Sequence, residues 1–146
     1  LEGPHIVYCD KVGPSGESVP RAFRMRLDAH SCALGKAMLA YKSFEELKEI
    51  YKTYTLHQHT ENTIPSLDKL YTQLRKVRKD GYSTNEAETF NYVYGVGAPI
   101  LDKHNRAIAA ISLSGTKSTI NVKNTPKLAE RTILTATLIA NEISKG

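Results

Sequence analysis

The chain has 146 residues, of which 40% are apolar and 24% charged, with a formal net charge of +5. That length fits one domain with one core, and the composition is that of an ordinary globular protein. No apolar run approaches the ~18 residues of a membrane-spanning helix, and the N-terminus has no basic region followed by an apolar core, so no secretory signal is read.

Much of the positive charge lies in Arg75-Lys-Val-Arg-Lys79. A nucleic-acid domain carries a denser stripe, interleaved with aromatics or set on a recognition helix, so this segment reads as a solvated helix face. Cys9 and Cys32 have neither metal-type nor redox-type spacing, and so few cysteines point to a reducing cytoplasm. The chain opens at Leu1-Glu-Gly-Pro-His5 without a starting Met, which reads as a piece of something longer.

His5 to Val12 alternates and contains Ile6, Val7 and Tyr8, a strand; Gly13-Pro-Ser-Gly16 is a turn. Ala22 to Leu27 reads as a second strand, with Phe23, Met25 and Leu27 on one face and Arg24 and Arg26 on the other. Ser31 or Cys32 opens a helix through about Tyr41. Ser43 caps the next, because Glu46 stands in the capping-box position. Thr53 to Ile64 is polar and reads as a loop, with room for a short strand.

Ser66 caps the clearest helix, in which Leu67, Leu70, Leu74 and Val77 recur at helical spacing and Gly81 supplies the C-terminal stop. Tyr82 to Glu88 is extended. Tyr92 to Leu101 and Ala107 to Ser114 are strands joined by the hairpin-like turn Asp102-Lys-His-Asn-Arg106. Pro126 starts a last helix running to Ile143. The order is two strands, three helices, three strands and a helix: an α+β fold, an antiparallel sheet with helices packed on it. No internal repeat, low-complexity tract or interdomain linker interrupts it.

The last helix carries two apolar stripes. Ala129, Ile133, Ala136, Ile139, Ala140 and Ile143 form one, and Leu134 and Leu138 lie about 100–140° away. Two stripes call for two packing partners, the second being another subunit or a further part of the chain; the alternative is a helix buried between the sheet and neighbouring loops.

Strand phase selects the candidate site. On the last strand Ile108, Ala110, Ser112 and Ser114 share a face; on the strand before, Val93, Gly95 and Gly97 do. Glycine weakens a strand unless something must approach closely, so paired glycines beside paired hydroxyls read as a hollow with a polar floor. The alternative is that the serines face solvent and the glycines mark bulges. Near the helix start Ser31, Cys32, Ala33 and Gly35 are small, leaving unpaired backbone N–H groups within reach of a small carboxylate. Asn85 adds a polar contact.

Three segments in this order, His30-Ser-Cys-Ala-Leu-Gly-Lys-Ala-Met-Leu-Ala40, Gly81-Tyr-Ser-Thr-Asn-Glu-Ala-Glu88 with Gly95-Val-Gly-Ala-Pro-Ile-Leu-Asp102, and Ala109-Ala-Ile-Ser-Leu-Ser-Gly115, resemble the C-terminal effector-binding domain of the IclR family of bacterial transcription regulators. The resemblance covers nearly the whole chain. It implies a GAF-like fold, a small-molecule effector (often a carboxylic or aromatic acid) and homo-oligomers, dimers or tetramers, assembled partly through this domain. It also implies an N-terminal winged helix-turn-helix domain, absent from residues 1–146, that binds operator DNA. The family's pocket positions fall on Cys32, Ala33, Asn85, Val93, Gly95, Ser112 and Ser114, the positions chosen by phase.

The departures bear on the ligand. Asn85 stands where the family has Asp; a neutral amide both donates and accepts, so the site tolerates more negative charge. Gly95 takes a usual Cys position and deepens the pocket, Tyr92 takes a common Gly, and Thr116 and Thr119 replace Pro and Arg.

Other chemistries are weaker. Cys32 and His30 as nucleophile and base need not face each other and have no evident orienting residue; His30 reads as capping or packing. His57-Gln-His59 on a strand would set two imidazoles side by side, yet lacks a third ligand nearby, so no metal is assigned. No nucleotide-binding or zinc-protease motif is present and no cofactor is called for. A ligand-sensing domain rather than an enzyme is the expectation; a stand-alone GAF-like sensor with another output is the alternative.

Overall fold

The computed structural model describes residues 1–146. Its elements are β1 (His5–Val7), β2 (Arg26–Asp28), α1 (Ala33–Leu39), α2 (Phe44–Ile50), α3 (Leu67–Asp80), β3 (Ser83–Glu86), β4 (Tyr94–Leu101), β5 (Ala107–Gly115) and α4 (Thr125–Lys145). The α+β order is the expected one. In place of one sheet, however, there are two: an antiparallel pair β1-β2 and an antiparallel sheet β3-β4-β5.

The N-terminal strands are shorter than alternation suggests. Pro20 opens a 3-10 turn, Pro20–Ala22, and has no N–H to offer a ladder. Arg24 then takes a left-handed φ of 63°, so regular pairing begins only at Arg26↔Val7. Beyond it the two segments still touch, through Tyr8 N–H to the Met25 carbonyl (3.0 Å) and Arg24 N–H to the Tyr8 carbonyl (2.9 Å). Phe23, expected on the inward face, is 63% exposed.

The helices follow their local signals. Cys32 is extended and caps α1, after a buried 3-10 turn at Ala29–Ser31. Ser43 and Glu46 form both halves of the capping box. Ser66 caps α3, and Gly81 ends it in the left-handed conformation, φ 80°. Residues 53–64 hold no strand. That loop is instead pinned to the segment after β3: the Thr60 and Thr63 hydroxyls donate to the Ala87 and Glu88 carbonyls, each at 2.6 Å.

The three-stranded sheet is a middle layer. Val96, Ala98 and Ile100 point to α4 and pack with Ala129 and Ala136. The opposite face meets α1, beyond which Leu39, Leu47, Leu70, Leu74 and Val77 form the main core with Ile6. On α4 the buried residues are Ala129, Thr132 and Ala136, whereas Leu134, Leu138 and Ile143 are each more than half exposed. Ile143 thus leaves the expected stripe, because α4 outruns the sheet: roughly 31 Å of helix at ~1.5 Å per residue faces roughly 27 Å of β4. No helix is long and apolar enough to cross a membrane.

Candidate functional site

The register of the sheet aligns the small and polar side chains. Asn85, Gly95 and Ser114 stand in one row across β3, β4 and β5; Ser83, Gly97 and Ser112 stand in the next. Both rows face α1. The two glycines serve different ends. A Cβ at Gly97 would lie 2.8 Å from the Ala33 carbonyl oxygen, so Gly97 lets the helix seat on the sheet instead of hollowing a pocket. The Ser83 hydroxyl locks that contact by donating to the same carbonyl at 2.6 Å. At Gly95 the approach is looser: the nearest atoms to a Cβ would be the Leu113 carbonyl oxygen at 3.1 Å and the Asn85 and Ala33 side chains at 3.6–3.7 Å.

Between the Asn85 row and the start of α1 lies a cavity of about 280 Å³, at the small end for ligand cavities. Cys32, Ala33, Asn85, Val93, Gly95, Ser112 and Ser114 all line it. The wall that sequence reasoning missed comes from the N-terminal hairpin: Tyr8, Lys11, Met25 and Leu27, with Thr89 and Phe90 at the other side. Met25 and Leu27 alternate as expected, but nothing local says that the hairpin folds across the sheet. Lys11 is the only charged residue in the lining.

The polar groups are partly committed. Asn85 is buried and its Oδ1 accepts the Glu88 backbone N–H at 2.9 Å, which leaves the amide nitrogen as its donor end. The Thr89 hydroxyl donates to the Ser31 carbonyl at 2.7 Å. At the helix start the Gly35 N–H is taken by Cys32 Sγ at 3.4 Å, so less of the start is free than the small residues alone suggest. Ser112 is half-buried and Ser114 exposed at the rim.

Cys32 is not prepared for nucleophilic chemistry. Burial pushes its thiol up to about 12, the opposite of the depressed value that an attacking thiolate needs. His30 turns away from it: Nε2 is 3.0 Å from the His57 carbonyl. Of the two free cysteines only Cys9 is exposed. Under native conditions one thiol is therefore expected to react rapidly with a disulfide reagent, and two after denaturation; two fast thiols in the folded protein would contradict the burial of Cys32.

A second, wider groove of about 760 Å³ shares Asn85 and Gly95 but has only five apolar residues among nineteen. The other five expected pocket residues, Cys32, Ala33, Val93, Ser112 and Ser114, line the smaller cavity and not this groove.

On the far side of α1, histidines gather around Asp28, which is buried. His59 Nε2 is 2.8 Å from Asp28 Oδ2, and His5 Nε2 is 3.3 Å from Oδ1. The Tyr54 hydroxyl donates to Oδ1 at 2.6 Å. The expected strand at His57 and His59 is absent, yet their rings still lie 6.3 Å apart; only His59 joins Asp28, while His57 gives its carbonyl to His30 and its exposed ring stands edge-on to Tyr54.

The family described as "Bacterial transcriptional regulator IclR C-terminal" matches residues 1–141. This chain therefore belongs to the IclR C-terminal family of bacterial transcriptional regulators. Among its relatives, the HTH-type transcriptional regulator XynR of Escherichia coli is 30% identical over 122 residues, which is 83% of this chain and 48% of XynR. The Transcriptional repressor IclR of E. coli is 36% identical over 95 residues, 65% of this chain and 35% of the repressor. The chain thus spans about half or less of these curated relatives. The crystal structure of the Thermotoga maritima IclR superposes with a TM-score of 0.85 at 32% identity, covering 97% of this chain and 58% of that one. The inducer-binding domain of PobR from Acinetobacter, solved as a double mutant with 3-hydroxybenzoic acid, shares the fold at 22% identity and a TM-score of 0.77, over 98% and 83% of the two chains.

Proposed function

We propose that residues 1–146 are the effector-binding domain of a transcription regulator, and that the effector is a small organic acid held between Lys11, the Asn85 amide and the Ser112 and Ser114 hydroxyls. The observation that carries this is convergence: seven residues from four separate segments line one cavity that holds a single cation. A carboxylate there gains charge-assisted hydrogen bonds, and the rest of the molecule meets Met25, Leu27 and Phe90.

The reading extends to a full-length protein that is oligomeric and cytoplasmic and binds operator DNA through a helix-turn-helix domain outside residues 1–146; the relatives' names support the regulator and helix-turn-helix parts of it. Leu134 and Leu138, exposed on α4, fit subunit contact. We read the domain as a sensor rather than an enzyme; the buried Cys32 thiol, with His30 turned to the His57 carbonyl instead of to it, supports that reading. The ligand acts by linkage, favouring one subunit arrangement through its higher affinity for that arrangement.

Thermal unfolding against small carboxylates, sugar acids and aromatic acids tests the reading. A ligand at about 100 times its Kd adds roughly 2.7 kcal/mol to stability. The expected result is one class of stabilising acids whose effect disappears in the Ser112→Ala/Ser114→Ala double variant and weakens in Lys11→Met. A stabilising acid that binds both variants as well as the parent sinks the site.

A further inference from the structure

The geometry points to a divalent-metal site of the zinc class on the far side of α1, formed by Asp28, His30 and His59 with a fourth position open. One ligand atom from each of the three lies within 4.8 Å of the others. A tetrahedral zinc with bonds of about 2.0–2.1 Å separates its ligand atoms by roughly 3.3–3.4 Å. The His59–Asp28 distance of 2.8 Å must open slightly and the longest must close, which His59 can do because its side chain is 34% exposed.

His30 supplies the independent observation. Its side chain is fully buried. Nε2 faces the His57 carbonyl, and since a carbonyl only accepts, Nε2 carries the proton. Nδ1 then holds the lone pair, and it is a buried atom without any hydrogen-bond partner. An orphaned acceptor costs stability, and here it sits on a residue that clusters with a carboxylate and a second imidazole. A metal ion would satisfy it.

The surroundings are those of a ligating shell. Metal-binding imidazoles usually donate their other N–H to a carbonyl or carboxylate, as His30 does to His57. Asp28 gives Oδ2 to the site while Oδ1 is held by the Tyr54 hydroxyl and His5. Two imidazoles and one carboxylate favour a borderline metal such as zinc over magnesium or calcium, which take all-oxygen sets. The exposed His59 gives the ion a way in.

The site joins the end of β2, the turn before α1 and the loop at 53–64. Cys32, in the cavity wall, is two residues from His30. A bound ion would fix that turn, so metal and effector occupancy would be coupled.

The test uses the untagged chain in a Cys9→Ser background, which removes the exposed thiol as a competing ligand. Zinc affinity is measured by competition with a chromogenic chelator, and cobalt(II) serves as a spectroscopic probe. The expected result is one zinc per chain and the intense visible bands of a tetrahedral cobalt site. His59→Ala, at an exposed position that leaves the core intact, should weaken zinc binding by at least about 100-fold, and Tyr54→Phe by roughly 10–100-fold. His57→Ala keeps the carbonyl and should bind as the parent does. No zinc uptake by the parent, or equal affinity in His59→Ala, overturns the site; loss of binding in His57→Ala overturns this choice of ligands.

Discussion

Replacing Gly35 by Ala is expected to destabilise the fold by at least about 3 kcal/mol, at or beyond the upper end of the usual cost of overpacking a core. Helix propensity alone predicts the reverse, since Ala is favoured over Gly inside a helix by roughly 1 kcal/mol. Packing decides the sign. A Cβ on Gly35 would stand 2.2 Å from the Ala29 carbonyl oxygen, 2.3 Å from its Cα and 2.5 Å from its carbonyl carbon. These are backbone atoms of a turn in which Ala29, His30 and Ser31 are all completely buried, so no flexible side chain can yield. Relief requires α1 to move off the turn, and Cys32 and Ala33 move with it. Urea unfolding should show a large fall in midpoint with little change in slope, accompanied by loss of effector binding. A midpoint equal to the parent's would mean that the turn before α1 is far softer than its burial implies.

The same residues explain what the sequence makes legible. Local signals are read correctly where one turn contains the whole argument: the Ser43/Glu46 box and the Ser66 and Gly81 ends of α3. Strand phase also brought Gly95, Ser112 and Ser114 to one face before any register was known, because alternation survives any pairing that keeps the hydrophobic face inward. What local pattern does not carry is which segments meet. Gly97 looked like part of a hollow, whereas its missing side chain admits the Ala33 carbonyl. Alternation at 22–27 gave no sign that Pro20 and Arg24 would break the strand, or that the hairpin would bring Lys11 to the cavity. Spacing does set the His57 and His59 rings near each other, but it says nothing of Asp28 and His30, which cluster with His59 from some thirty residues earlier, in a segment whose own pattern speaks only of a helix start.

Another long-range contact of this kind is expected to carry a large energy. Lys36 on α1 and Glu88 after β3 form a buried ion pair with side chains 1% and 6% exposed. The ammonium reaches both carboxylate oxygens at 2.7 Å and Gln73 Oε1 at 2.9 Å. From sequence each is an ordinary charged residue on a helix or loop. Replacing Lys36 by Met leaves similar bulk but strands a carboxylate in the interior, and is expected to cost about 3–5 kcal/mol at neutral pH. Out of a total that for domains is typically 5–15 kcal/mol, this is a large fraction.

The loss should depend on pH in a defined direction. Burial pushes the Glu88 carboxyl up, with the Lys36 ammonium and the Glu86 N–H pulling the other way. Without the ammonium it rises further. A raised carboxyl binds its proton more tightly in the folded than in the unfolded chain, so stability is favoured below the unfolded value and is lost as pH rises through the folded one. Lys36→Met should therefore be mildest in weak acid and grow more damaging towards neutrality. Adding Glu88→Gln removes the stranded charge while keeping an acceptor for the Glu86 N–H, and should recover about 2 kcal/mol as a coupling term. Denaturant unfolding of both single variants and the double at two pH values measures this directly. A Lys36→Met penalty independent of pH, together with strict additivity, would mean that the pair acts as two separate packing elements. The predicted coupling instead makes the α1–Glu88 contact the electrostatic clasp that holds the cavity's helix to the strand bearing Asn85, whose Oδ1 is fixed by the Glu88 backbone N–H.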